Sequence, residues 1–211
     1  AEKLVSRLAD DPEVEAVQLA GPGFVNMRLP KHLWLEQIKS ILSEGEAYGE
    51  SLALAGQKIN VEYVSANPTG PLHAAHARGA VVGDALSMLL AKAGADVTRE
   101  YYINDAGNQV NILGRSTYLR YQEALGKTID GIPEGMYPGE YLKEVGAAIA
   151  KRDGEKWLTA DEDSWLPAMR DFAIEFLMAE IKQDLQALGV DQSVFSSERK
   201  LVEDGAVEQA F

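Results

Sequence analysis

Cysteine is absent from all 211 residues, which excludes disulfides and thiolate metal sites and fits a reducing, cytoplasmic setting. Histidine is scarce as well. His32, His73 and His76 are the only three, so a zinc shell would have to be completed by carboxylates, and no metal site is expected. No apolar run approaches the ~20 residues that cross a bilayer, and no cleavable signal pattern is visible, so no membrane partner is expected. Positive charge is short too: 20 lysines and arginines face 33 acidic residues, a net charge of -13. Nonspecific nucleic-acid binders draw most of their affinity from neutralising phosphates, so the composition argues against that mode. Contact with a polynucleotide would need a local basic face or regions outside this chain. Internal repeats and low-complexity tracts are also missing. What the chain does have is 46% hydrophobic residues, enough for a substantial core in one domain or one and a half.

The most informative stretch is VEYVSANPTGPLHAAH, residues 61 to 76. From Lys58 to Val64 the residues alternate, with Ile59, Val61 and Tyr63 on one face and Asn60 and Glu62 on the other, which predicts a strand. Pro68 and Pro71 remove backbone donors and favour extended geometry before them, so the strand leaves its sheet near Ser65 and a loop spans Ala66 to Leu72. From His73, apolar residues Ala74, Ala77, Val81, Val82, Leu86, Leu89 and Leu90 recur at helical spacing until Gly94. A second strand is predicted at Val97 to Ile103, which completes a β-α-β unit. Ligands of such units bind outside the carboxyl ends of the strands, and a helix start offers unpaired N–H groups and a positive dipole end for phosphate. His73 and His76 lie there, although a pair at this spacing is also compatible with solvated or core-packed side chains.

Along the rest of the chain, strands are predicted at Glu15 to Ala20 and Phe24 to Leu29 around Gly21-Pro22-Gly23, with a helix from His32 to Ser43. Residues 45–57 read as linker. Further helices are predicted at Asn108 to Leu125, Glu140 to Arg152 and Pro167 to Leu188, with a breaker-rich loop from Gly126 to Gly139. The chain returns to extended structure at Val194 to Ser197 and starts a helix near Leu201.

The flanks SANPTGPLH and REYYINDAGNQ, together with the histidine pair, resemble the bacterial type of arginyl-tRNA synthetase, a class I aminoacyl-tRNA synthetase whose nucleotide motif is His-x-Gly-His. The resemblance runs from roughly Val14 to Phe211. It implies an α/β fold: the first half of a Rossmann-like class I catalytic domain (58–114), a helical connective insertion (115–190) and a return to the catalytic domain (191–211). Residues 1–44 then look like the end of an N-terminal α+β appended domain that contacts tRNA. One position departs from the motif. Ala75 stands where the family carries glycine, a residue suited to close approach of a base or sugar to the backbone.

Carried onto this sequence, the resemblance implies that His73 and His76 contact the ATP triphosphate and stabilise charge as pyrophosphate leaves. Pro71, Leu72, Ala75, Gly83 and Asp84 join them in the nucleotide site, with Mg2+ accompanying ATP. Asp84 reads equally as a surface carboxylate, and Gly83 as a close-packing position. Glu62, Ser65 and Asn67 match positions lining the arginine pocket, as does Glu198. A carboxylate pairs naturally with a planar guanidinium, but which end of L-arginine Glu62 holds is open, and a structural ion pair is the plainer alternative. Asn104, Asp105 and Gln109 border the substrate or the tRNA end, or form a turn with a helix cap. Tyr101 and Tyr102 read as strand packing, and Trp157 and Trp165 as part of the insertion's core. The implied function is arginine–tRNA ligase activity on L-arginine, ATP and tRNA(Arg) by a cytoplasmic monomer. The lysine-bearing signature loop and the anticodon-binding domain lie outside these residues, so the chain is expected to be a fragment inactive alone. The rival reading is a non-catalytic synthetase-like paralogue or binding module.

Overall fold

The structure is a computed structural model that describes residues 1–210; Phe211, the end of the expected return to the catalytic domain, lies outside the described residues. It divides into two compact units, residues 1–51 and residues 52 onward.

The first unit holds α1 (Glu2–Leu8), β1 (Ala16–Ala20), β2 (Phe24–Arg28), α2 (Lys31–Glu44) and a short 3-10 turn, Gly45–Ala47. β1 and β2 form an antiparallel hairpin whose register runs from Ala16 opposite Arg28 to Ala20 opposite Phe24. Gly21 and Gly23 supply its turn at φ 53° and 103°, a conformation that glycine adopts without a Cβ clash. Helix α1 is absent from the sequence-based prediction. At seven residues it is too short for a periodic signal, and Glu2 in its first turn and Arg7 in its last suit the helix dipole. None of this unit's residues is buried.

The second unit contains β3 (Lys58–Glu62), α3 (Ala74–Lys92), β4 (Asp96–Ile103), α4 (Asn108–Ala124), α5 (Tyr141–Asp153), α6 (Glu162–Ala187), β5 (Val194–Ser197), α7 (Glu198–Glu203) and α8 (Ala206–Ala210). Its sheet has the order β3-β4-β5 and is parallel throughout, with Glu62 opposite Glu100 and Ile103 opposite Ser197. Parallel neighbours need long crossovers: α3 provides the first, and α4, α5 and α6 together provide the second. This is a mixed α/β architecture with a parallel sheet, consistent with the Rossmann-like fold that the resemblance implies.

Most of the core lies among α4, α5 and α6, where Leu113, Tyr121, Leu142, Val145, Ile149, Met169, Leu177 and Ile181 are fully buried. Gly146 of α5 faces the backbone of Arg120, so close that an added Cβ would stand 2.5 Å from the Arg120 carbonyl carbon. Trp165 stacks flat on Tyr118 at 3.9 Å between ring centres, and Trp157 is half-buried nearby in the same cluster.

Two helices differ from their sequence patterns. Helix α6 begins at Glu162 rather than at Pro167, because Asp161 caps it by accepting the Ser164 N–H at 2.9 Å. Pro167 is carried inside the helix; its fixed φ is helical, and the cost is one missing backbone bond. In α3 the buried residues are Ala80, Gly83, Asp84 and Ser87, whereas Val81, Val82, Leu86 and Leu89 of the apolar repeat are exposed. The sheet accepts this helix on its narrow side, where small residues permit close approach.

Candidate functional site

β3 ends at Glu62, two residues before the alternation in the sequence stops, because Val64 and Ser65 turn into the left-handed region at φ 67° and 41°. Such conformations cost non-glycine residues roughly 1–3 kcal/mol each and persist only where neighbours hold them. Here the holding groups are specific. Ser65 Oγ accepts the Tyr102 N–H at 3.0 Å, and Asn104 donates its amide to the Ser65 carbonyl at 3.1 Å. Gln192 donates to the carbonyls of Tyr63 and Glu100, at 2.9 and 3.0 Å, tying the strand exit to the chain that precedes β5. Further along the loop, Tyr101 donates to the Ala66 carbonyl at 2.8 Å and Asn67 donates to Gln109 at 2.7 Å. Thus the loop is held by two hydrogen-bonded pairs, Ser65 with Asn104 and Asn67 with Gln109.

The loop delivers Pro71, exposed, and Leu72, half-buried against the core, to the start of α3. His73 is the N-cap, with extended geometry, so the helix proper begins one residue later than its sequence pattern. The His73 N–H donates to Nδ1 of His76 at 3.3 Å, and the two rings stack at 3.7 Å with 22° between their planes. A ring that accepts at Nδ1 carries its proton on Nε2 when neutral, which leaves Nε2–H as a donor. Partial burial, followed by the proximity of His73, holds the His76 pKa below its ordinary value of 6.5. The first-turn N–H groups lie ahead of the i→i−4 ladder, beside the positive end of a helix dipole. Ala75 is exposed in this turn. The arrangement suits a polyphosphate, with imidazole donors and backbone N–H groups on one side.

Carboxylates collect at the ends of the strands. Glu62 closes β3 and is exposed, Asp105 follows β4 and is buried, and Glu198 opens α7 directly after β5. All three act on the Tyr102 hydroxyl, whose pKa is raised first by burial and then by Glu198, Asp105 and Glu62. Asp105 spends both oxygens internally: one accepts from Ser197 Oγ at 2.6 Å and the other from the Arg199 N–H at 3.0 Å. That leaves Glu62 and Glu198 as the acceptors for a cationic ligand, with Asp105 joining the ends of β4 and β5.

Gly83 and Asp84 do not reach the helix start. They lie roughly 15 Å along the axis of α3, at 1.5 Å per residue. A Cβ at Gly83 would overlap the Tyr63 ring, so this glycine sets the distance between helix and sheet. Asp84 pairs with Arg99 at 3.2 Å and accepts from the Tyr63 hydroxyl at 3.3 Å. Burial, then the Asp84 charge, pushes the Tyr63 pKa up to about 12, keeping it a donor.

Tyr102 and Gln192 belong to the site but carry no sequence signal beyond strand packing for the first. Strand alternation is the one available cue, because it turns Tyr101 into the core and Tyr102 toward the carboxylates. Among the described residues no cluster of three or more His, Asp or Glu side chains is placed to hold a metal ion.

Comparison with known proteins converges on one family. Residues 37–134 match the family described as tRNA synthetases class I (R), catalytic domain. The arginine–tRNA ligase of Nitrobacter hamburgensis is 54% identical over 206 residues, covering 98% of this chain and 34% of that protein. That of Rhizobium rhizogenes is 53% identical over 206 residues, again 98% of the chain and 35% of the relative. The chain therefore spans about a third of the length of the curated relatives it matches. Among solved structures, an arginyl tRNA synthetase described from Campylobacter jejuni superposes with a TM-score of 0.72 at 33% identity, covering 83% of this chain and 38% of that one. Thermus thermophilus arginyl-tRNA synthetase, at 22% identity and a TM-score of 0.50 over 99% of this chain and 34% of that one, agrees in fold. Over nearly its whole length, then, the chain is similar to about a third of an arginine–tRNA ligase, and residues 37–134 match the class I synthetase catalytic-domain family.

Proposed function

We propose that this chain provides the ATP-binding and arginine-binding portion of an arginine–tRNA ligase. The supporting observation is a juxtaposition: the ends of three adjacent parallel strands present Glu62 and Glu198, while the loop leaving β3 leads to the stacked histidines at a helix N-terminus. A cation-accepting half and a phosphate-accepting half share one sheet edge. In the proposed reaction the arginine carboxylate attacks the α-phosphorus of ATP in line, the bond to the bridging oxygen breaks, and pyrophosphate departs. The arginyl group then passes to the terminal hydroxyl of tRNA(Arg), releasing AMP. The protein's share is positioning and charge stabilisation, with His73, His76 and the first-turn N–H groups facing the leaving phosphates.

The donor set fits ATP without a resident metal. Mg2+ would arrive with the nucleotide, neutralising phosphate charge, since the residues around the histidines offer donors rather than a ligand cage. A monomer acting in the cytoplasm fits the family resemblance, and no helix among the described residues is long and apolar enough to cross a membrane. The domain assignment proposed with this function places residues 58–114 and 191–211 in the catalytic domain and 115–190 in the connective insertion.

The test is arginine-dependent exchange of ATP with pyrophosphate by the full gene product in the presence of tRNA(Arg). Exchange is expected; its absence would overturn the ligase reading. Ala75 favours a second reading, a paralogue that binds nucleotide without turning over arginine, and ATP binding without exchange would select it.

A further inference from the structure

The loop between β3 and α3 is held by two tyrosine hydroxyls from different layers of the fold. Its first half is fastened to β4 and the residue after it through Tyr101, Tyr102 and Asn104, and to the start of α4 through Gln109. The second half has a different anchor. Tyr141, the first residue of α5, donates its hydroxyl to the Thr69 carbonyl at 2.6 Å, a contact spanning 72 residues of chain. Its ring also lies against Gly70, where an added Cβ would stand 3.2 Å from the hydroxyl oxygen and 3.3 Å from the adjoining ring carbon. Gly139 also lets the chain pass close to that ring, since a Cβ there would overlap it. Leu142, the next residue, is fully buried, so α5 is itself fixed in the helical core. Pro68 and Pro71 lack N–H groups, which leaves this part of the loop few means of holding itself.

We propose that Tyr141 is a positioning residue for the nucleotide: through Thr69 and Gly70 it sets where the loop delivers His73 and the first turn of α3. Helix α5 thereby fixes the ATP half of the site, while β4, the residue after it and the start of α4 fix the arginine half. The proposal rests on the arginine-activation reading above, and the two are tested separately.

Tyr141→Phe keeps the ring against Gly70 and deletes only the hydroxyl. In the full gene product, exchange kinetics are expected to show KM for ATP raised about 2- to 10-fold, the usual worth of one hydrogen bond. KM for arginine should stay unchanged and the melting temperature should fall by no more than about 2–4 °C, which a general loss of stability would not produce. Gly70→Ala, which presses on the same ring, should act in the same direction, and the double variant should fall short of the summed single effects. Equal changes in both KM values, or none in either, would overturn the proposal. If the unmodified protein shows no arginine-dependent exchange, the ligase reading fails instead. The strut is then decided in the 211-residue chain by amide exchange in NMR. Faster exchange at Gly70 and Leu72 than at Asn67 in Tyr141→Phe upholds it, and unaltered exchange overturns it.

Discussion

Helix α6 and helix α3 are both long and rich in apolar residues, yet they are attached to the fold in opposite ways. Helix α6 buries Trp165, Met169, Ala173, Ile174, Leu177, Met178, Ile181 and Leu185. Helix α3 buries only Ala80, Gly83, Asp84 and Ser87, while Val81, Val82, Leu86, Met88 and Leu89 remain 47–67% exposed. The first is embedded by area; the second is aimed by specific contacts, namely a glycine against a ring, an ion pair to Arg99 and the Tyr63 hydroxyl donating to Asp84 at 3.3 Å. Nondirectional burial tolerates small shifts, whereas directional contacts do not. The helix that carries the histidine pair is the one held by directional contacts.

Substitutions in the two helices should therefore separate stability from site geometry. Leu177→Ala should have the largest effect on folding, about 2–5 kcal/mol, through transfer and cavity terms, with KM for ATP unchanged in whatever remains folded. Denaturant unfolding and exchange kinetics measure the two sides, and a large shift in KM would break the contrast. His76→Ala should do the reverse, lowering arginine-dependent exchange about 10²- to 10³-fold, as loss of one charge-stabilising donor does elsewhere, with little change in melting temperature. Retention of most activity would remove His76 from the mechanism. Gly83→Ala stands between them. Its methyl must displace the Tyr63 ring, at about 1–3 kcal/mol, and unlike Leu177→Ala it should also shift KM for ATP by moving α3. A melting temperature equal to that of the unmodified protein would show that α3 is looser than its contacts imply.

The pH dependence should be smaller. The pKa of His76 lies below 6.5 in the folded chain, so between that depressed value and 6.5 the unfolded chain binds more protons. Stability should accordingly rise with pH through this window, with the penalty complete below the folded pKa and absent above 6.5. An NMR titration of the ring protons should place the His76 midpoint below 6.5 without nucleotide and move it upward when ATP is added; a midpoint at or above 6.5 without nucleotide would contradict the stacked, Nδ1-accepting geometry. The smallest effect is expected from Ala75→Gly. Ala75 is exposed and does not adopt a positive φ, so only close approach of the nucleotide gives glycine an advantage. A modest gain in ATP affinity is expected by calorimetry, and unchanged affinity would show that the methyl is accommodated.

Much of the fold could be read directly. Alternation located β3 to within two residues, because a strand with one buried face leaves a period of two in its side chains, and the strand expected at Val97 to Ile103 is β4. The breaks at Gly94 and around Pro133 and Pro138 were legible because glycine and proline act on the local backbone. The apolar repeat located α3 but not the face that meets the sheet, since most of its members are exposed; Gly83, legible as a close-packing position, lies on that face. Asp84 was legible only as a carboxylate; its pairing with Arg99 depends on how α3 lies across β4.

The amino-acid sequence by itself determined the order of strands and helices, the site of the loop and the presence of a histidine pair at a helix start. These follow from local preferences and short-range periodicity. Tertiary structure alone decided which carboxylates converge and which are already spent. Glu62, Asp105 and Glu198 are far apart along the chain, and only parallel pairing of β3, β4 and β5 brings their strand ends together, where hydrogen bonds to Ser197 and Arg199 commit Asp105 to the fold. It also decided that a tyrosine of the helical layer would grip the loop between β3 and α3. Contacts between residues distant in sequence depend on crossover and packing, which no local pattern encodes.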